Sequence, residues 1–326
     1  MGEKRYGLPY MGSKSAIAEA IVASLPPRKH FVDLFCGGCA VTHCAMLSGK
    51  WSDFTINDIE PMIVELFLGA VSGKYHNETR WISHEDFDRL KASDPYVAYI
   101  WSFGNNPLKG YMYSRDIEPW KKALHYARVL GDKSLLERMG ILGDGSRKDV
   151  RDHLEEYQRK YISWLGRQSK TPCSENLQHL QSLERLESLE RLEPLENLTR
   201  FQRLQGLQGL QCYVGDYQDV PRERESLIYC DIPYKNTEGY SKSAFDHKRF
   251  YEWASKQEEP LIISSYEISD NRFVRLFDIE KIALINANDN STKKHEGMFV
   301  PRSQLEWWKS HTFLSENCRQ EQLTLF

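Results

Sequence analysis

Phe31-Val-Asp-Leu-Phe-Cys-Gly-Gly-Cys39 is a short apolar run that delivers an acid, a glycine pair and a cysteine. Such a run, ending at glycines, predicts a buried strand over His30–Phe35 that empties into a tight turn. Ala40–Leu47 then reads as a helix. Upstream, Lys14–Leu25 has helical spacing and is stopped by Pro26-Pro27. Downstream, Phe54–Ile56 reads as a second strand, and Pro61–Val71 as an amphipathic helix with proline in its first turn. Strands alternating with helices predict an α/β fold around a parallel sheet with crossover connections.

The turn has a chemistry of its own. Gly37 and Gly38 let the backbone come close to a ligand. Dinucleotide spacing, GxGxxG, is missing, so the turn suits a ligand without a pyrophosphate. A second acid, Asp58, ends the next strand in Ile56-Asn57-Asp58, where a doubly wound sheet presents a carboxylate to ribose hydroxyls. Either acid alone is equally readable as a helix cap or a turn residue.

Strands return in the C-terminal part. Ser226–Cys230 and Leu261–Ser265 read as strands with a helix, Lys248–Lys256, between them. Ile279–Ala287 and Gly297–Val300 form a candidate antiparallel pair. Leu227-Ile-Tyr-Cys-Asp231-Ile-Pro-Tyr234 is the second chemical motif. Its carboxylate, Asp231, can accept hydrogen bonds from an amino group. Ile232 is held extended by Pro233 and can offer its carbonyl, and Tyr234 has a face for a flat heterocycle. Tyr266 and Glu267, at the end of the Leu261 strand, are further candidates.

At 326 residues and 38.1 kDa, with 40% hydrophobic and 27% charged residues, the chain is too large and too apolar to be a disordered or disulfide-stapled scaffold. No stretch reaches the ~18–20 apolar residues of a membrane span, and Met1–Pro9 leads into no apolar signal core. A cytoplasmic protein is expected. Seven cysteines without paired spacing read as reduced thiols, and Cys36/Cys39 have no partner pair at zinc spacing, so no metal is expected. The net charge of −3 hides an uneven distribution: residues 104–170 carry 14 Lys+Arg against 9 Asp+Glu, interleaved with Tyr111, Tyr113, Trp120, Tyr126, Tyr157, Tyr161 and Trp164. That mixture suits contact with phosphates and bases; it equally describes a helical subdomain with an aromatic core.

Between the two α/β parts, apolar residues recur every third position from Leu177 to Leu198, then at Phe201, Leu204, Leu207 and Leu210. A three-residue step drifts ~60° backward per repeat on an α-helix and builds no single face. The segment reads as a short irregular solenoid, as a broken or 3₁₀-like helix, or as a mobile insertion.

Taken in order, these motifs resemble the Dam-type D12 class of S-adenosylmethionine-dependent DNA adenine-N6 methyltransferases, in particular α-group, phage-like members. Asp33-Leu-Phe35-Cys-Gly37-Gly38 looks like the methyl-donor motif D-x-F-x-G-x-G, with Cys39 in place of the last glycine. Tyr10-Met-Gly-Ser-Lys14 resembles the N-terminal motif closing the donor site. Asp231-Ile232-Pro233-Tyr234 resembles the catalytic D-P-P-Y, with Ile232 in place of the first proline. The resemblance implies a Rossmann-like class I methyltransferase mixed sheet formed by residues 1–75 and 212–312. It also implies a mostly helical target-recognition region over 76–175, followed by the repeat at 176–211. S-adenosyl-L-methionine is the implied cofactor, held by Tyr10, Lys14, Asp33, Phe35, Gly37, Gly38, Asp58 (ribose) and Asp216 (adenine amino group). Double-stranded DNA is the implied partner. Gln322-Leu323-Thr-Leu325-Phe326, in the tail 313–326, resembles a bacterial sliding-clamp binding peptide. A catalytically degenerate DNA- or clamp-binding protein, and an enzyme acting on RNA or on cytosine N4, are the competing expectations.

Overall fold

The structure is a computed structural model, and it describes residues 5–142, 154–168, 200–234, 245–281 and 294–312. The chain divides into two units, Met1–Lys74 with Arg200–Phe326, and Tyr75–Thr199.

The first unit is built on one seven-stranded sheet. Its strands are β1 (His30–Asp33), β2 (Asp53–Asp58), β3 (Leu210–Val214), β4 (Ser226–Asp231), β5 (Leu261–Ser265), β6 (Phe273–Lys281) and β7 (Lys294–Pro301). They lie in the order β3-β2-β1-β4-β5-β7-β6. The first five are parallel, whereas β7 runs antiparallel to both β5 and β6. This is the expected mixed, Rossmann-like sheet. Its direction of winding reverses between β1 and β4, and a crevice opens beyond the carboxyl ends of strands at such a reversal. Asp33 and Asp231 sit at those two ends, in register with Tyr229 and Ser264 respectively.

Both faces of the sheet are covered. One face packs α1 (Ala18–Ser24), α2 (Ala40–Ser48) and Trp308 of the C-terminal helix Leu305–His311 against Phe31, Tyr229 and Met298. The other packs Phe250, Tyr251 and Ala254 of helix His247–Ala254 against Val32, Ile228 and Ile263. α1 is shorter than expected. Residues 14–17 form a turn, and Leu25 is extended (ψ 137°), as the residue before a proline must be. α3 (Pro61–Val71) follows the predicted boundaries, and the Glu60 side chain caps the amide of Met62.

The antiparallel pair at the sheet edge is present, but β6 begins at Phe273, ahead of the expected Ile279; residues 282–287 lie outside the described ones. The repeat is described only from Arg200 onward. There Phe201 and Leu204, three apart on one helical turn, are buried; Gly206 and Gly209 then take positive φ, and Leu210 enters β3. The sheet unit therefore resumes before residue 212. Residues 177–199 and the tail peptide 322–326 lie outside the described residues.

The second unit is helical in its described parts: α4 (His84–Leu90), α5 (Pro95–Ile100), α6 (Glu118–His125), α7 (Ser134–Arg138) and α8 (Leu154–Gln168). Its rings are mostly core. Trp120, Tyr157, Tyr161 and Tyr113 are buried, and Trp120 stacks on Tyr161 at 5.2 Å. The interleaved aromatics are thus an interior, and those four are not exposed to stack on bases. Among the described residues, no helix is long and apolar enough to cross a membrane.

Candidate active site

The turn after β1 is built by backbone bonds. Leu34 N–H donates to the Tyr229 carbonyl and Cys36 N–H to the Asn57 carbonyl, tying the ends of β1, β4 and β2 together. Asp58 closes it: one oxygen accepts from Gly37 N–H at 2.8 Å and the other from Glu60 N–H at 3.0 Å. Asn57 donates to the carbonyls of Leu34 and Gly215, both at 3.1 Å, so the start of the Asp216 loop is pinned beside the same turn. Gly37 has φ 45°, and a Cβ on Gly37 or Gly38 would lie 2.9 or 2.8 Å from the Tyr10 side chain. Only glycines allow Tyr10 to lie this close over the turn.

The segment bearing Tyr10 is itself anchored. Leu8 N–H donates to the Gly38 carbonyl at 2.7 Å, Gly7 N–H to His43 Nδ1 at 3.0 Å, and Arg200 to the Tyr6 carbonyl at 3.1 Å. Lys14, next in line, is buried. It donates to Asp231 at 2.7 Å and to the Tyr234 hydroxyl at 2.6 Å, and its Nζ is 3.5 Å from Glu296.

Twelve of the fourteen residues expected from sequence line one cleft of about 290 Å³, Tyr266 and Glu267 being the exceptions: Tyr10, Lys14, Asp33, Phe35, Gly37, Gly38, Asp58, Asp216, Asp231, Ile232, Pro233 and Tyr234. The lining is rich in carboxylates. Asp33 is buried, accepts from the Thr42 hydroxyl at 2.7 Å through Oδ2, and leaves Oδ1 buried without a partner. Burial pushes its carboxyl up to about 7; the Thr42 hydrogen bond opposes this, and the charges of Asp231 and Asp58 add to it. Burial also raises Asp58, against the amides of Glu60 and Gly37.

Asp216 differs from expectation in one respect: its Oδ2 pairs with Arg249 at 2.7 Å, and Arg249 also bonds Gln218 at 2.9 Å. Ile232 faces the core as well as the cleft, packed among Val32, Leu34 and Phe250. Tyr234 stacks on Tyr266, with centroids 4.3 Å apart. Glu267 is exposed and does not line the cleft.

Cys39 is compatible with an open cleft. It is left-handed, with φ 56°, a conformation that costs a non-glycine residue roughly 1–2 kcal/mol. The side chain is buried and does not line the cleft, so it does not crowd a ligand there. Cys39→Gly is therefore expected to change donor affinity by less than about threefold, under 1 kcal/mol. Calorimetric titration checks this, and a larger change would mean that the Cys39 side chain reaches the cleft.

Two residues at the site carry no sequence signal that separates them from surface charges. Arg249 lies on a helix whose spacing gives only amphipathicity. Glu296 lies one residue before the expected strand Gly297–Val300, and only the pairing of β7 with β5 brings it to Lys14 and Tyr234.

Residues 10–100 match the D12 class N6 adenine-specific DNA methyltransferase family. Over this stretch the chain is similar to that family. The matched stretch contains Tyr10, Lys14, the Asp33–Gly38 turn and Asp58; Asp216 and Asp231–Tyr234 lie beyond it. No curated protein matches the chain. D12 class enzymes use S-adenosylmethionine as methyl donor. The cleft suits that molecule: its glycine turn leaves room for backbone contact, its carboxylates oppose a cationic ligand with amino and hydroxyl donors, and the orphaned Asp33 oxygen is an acceptor in want of a donor.

The Asp33 shift makes a prediction. Its folded pKa stands above the ordinary 3.8, so the folded protein binds the extra proton between about 4 and 7. That contribution to stability is complete below about 4 and is lost as pH rises through about 7. In melting curves of the donor-free protein, wild type is expected to lose stability relative to Asp33→Asn between about pH 4 and 8, by up to ~4 kcal/mol. Parallel pH profiles would contradict a buried, titrating Asp33.

Proposed function

We propose that this protein is a methyltransferase that modifies N6 of an adenine in a defined site of double-stranded DNA, on a base turned out of the duplex, by direct in-line attack. One observation carries the reading: Asp231, Ile232 and Tyr234 share a cleft with the Asp33–Gly38 turn. The exocyclic nitrogen of adenine is a poor nucleophile, because its lone pair is delocalised into the ring. Asp231 and the Ile232 carbonyl accept hydrogen bonds from that amino group and return electron density to nitrogen. Tyr234 offers its ring to the base, and a duplex base reaches such a pocket only by leaving the stack. When bound, the cofactor supplies an electrophilic methyl group on a sulfonium. Tyr10, Gly37 and Gly38 would hold it against the turn, Asp33 would accept a hydrogen bond from it, and Asp58 would take its ribose. Asp216, engaged by Arg249, would meet its adenine edge. After transfer the methylated nitrogen carries one proton too many, and Asp231 accepts it. Positioning and electrostatics supply the rate.

Residues 76–175 are the proposed target-recognition region, and the exposed basic side chains of that unit, such as Arg115, suit phosphate contact. A sliding clamp is a proposed partner through Gln322, Leu323, Leu325 and Phe326, on the strength of the peptide sequence and the fit of such a segment to an apolar groove.

Base flipping is tested with a duplex carrying 2-aminopurine at the methylated position. Its fluorescence should rise on addition of enzyme, and no rise at any adenine position of a methylated site would contradict the flipped-base reading.

A further inference from the structure

Glu296 is fully buried in β7, between β5 and the edge strand β6. A buried carboxylate persists only with hydrogen bonds and a counter-charge. Ser264 donates to it at 2.7 Å, and the Tyr234 hydroxyl donates to its two oxygens at 2.8 and 3.1 Å. The counter-charge is Lys14, which is shared with Asp231. The Tyr234 hydroxyl therefore accepts from Lys14 and donates to Glu296, which fixes its hydrogen and, with the Tyr266 stack, its ring. Lys14 is thus shared between two carboxylates, Asp231 and Glu296.

We propose that Glu296 is a positioning residue for methyl transfer, acting through Lys14 and Tyr234: its charge holds the Lys14 ammonium and the Tyr234 hydroxyl, and through them it fixes the Asp231 carboxylate and the Tyr234 ring. Glu296 does not line the cleft, so it acts without touching the base. The inference rests on the methyltransferase reading above. A carboxylate that merely filled the sheet would need one counter-ion; sharing Lys14 with Asp231 couples it to the reacting end instead.

Glu296→Gln isolates the charge, because the amide oxygen can still accept from Ser264 and Tyr234. The readouts are the single-turnover methylation rate of donor-saturated enzyme on duplex DNA, the donor Kd by calorimetry and the melting temperature. The rate is expected to fall about 10- to 100-fold, with donor Kd changed less than about threefold. Glu296→Asp, which keeps the charge, is expected to retain more rate than Glu296→Gln. A Glu296→Gln rate within about threefold of wild type would overturn the proposal. So would a loss accounted for by weaker donor binding or a smaller folded fraction, or an equal loss in both variants. A wild-type enzyme that transfers no methyl to DNA would overturn the methyltransferase reading itself, and this inference with it.

Discussion

Asp231→Ala is expected to lower methyl transfer by about 10³-fold or more, the scale on which removing one preorganised polar group acts when it works in the transition state. The carboxylate ends β4, 2.7 Å from Lys14, in the cleft that holds the donor turn. Without it the target nitrogen keeps its lone pair in the ring. The fold should survive, because Lys14 retains Tyr234 and Glu296 as partners. Donor affinity should change little, since Asp33, Asp58 and the glycine turn remain. The loss therefore belongs in the rate of donor-saturated enzyme. A variant that transfers at near wild-type rate would remove Asp231 from the chemistry.

Gly7→Ala is expected to destabilise the protein by about 2–4 kcal/mol and to abolish donor binding with it, through left-handed strain and overpacking together. Gly7 has φ 65°, and a Cβ there would stand 2.3 Å from the Gly38 carbonyl and 2.6 Å from the Ala40 amide. Both obstacles are backbone, so neither can swing aside. Movement of Gly7 would break its hydrogen bond to His43, whose ring burial drives toward the neutral form, with the charges of Arg203 and Arg200 adding, to a pKa of about 4. A neutral ring is what lets Nδ1 accept at neutral pH. Movement would also carry away Leu8, bonded to Gly38, and hence Tyr10 and Lys14. Chemical denaturation and donor titration measure the two effects. Unchanged stability with unchanged binding would mean that the 6–15 segment is not seated on the glycine turn.

The contrast between these sites shows what the amino-acid sequence displays. Asp33, Gly37, Gly38, Asp58 and Asp231 stand at strand ends, where an apolar run breaks at a fixed offset from the chemistry, and the break is visible in one dimension. Arg249 reaches the cleft, and Glu296 reaches Lys14 and Tyr234 behind it, through tertiary pairing, a helix against the Asp216 loop and β7 against β5, and no local spacing records that. The early start of β6 was hidden for a related reason: Phe273–Phe277 mixes Arg275 into an edge strand whose solvent side tolerates charge. The basic, aromatic segment left two readings open through composition, since Trp120, Tyr157 and Tyr161 serve a core as well as they would serve stacked bases. The period-three repeat yields only at its end, where Phe201 and Leu204 anchor one helical turn before Gly206 and Gly209 release the chain into β3.

The central claim is adenine-N6 methylation of duplex DNA at the Asp231 cleft. It is tested most directly by incubating the purified full chain with labelled S-adenosylmethionine and duplex DNA, digesting to nucleosides and mapping modified positions by sequencing. N6-methyladenine in one recurrent sequence context is the predicted result. Label on cytosine N4, label on RNA alone, or no label from a protein that binds the donor would contradict it.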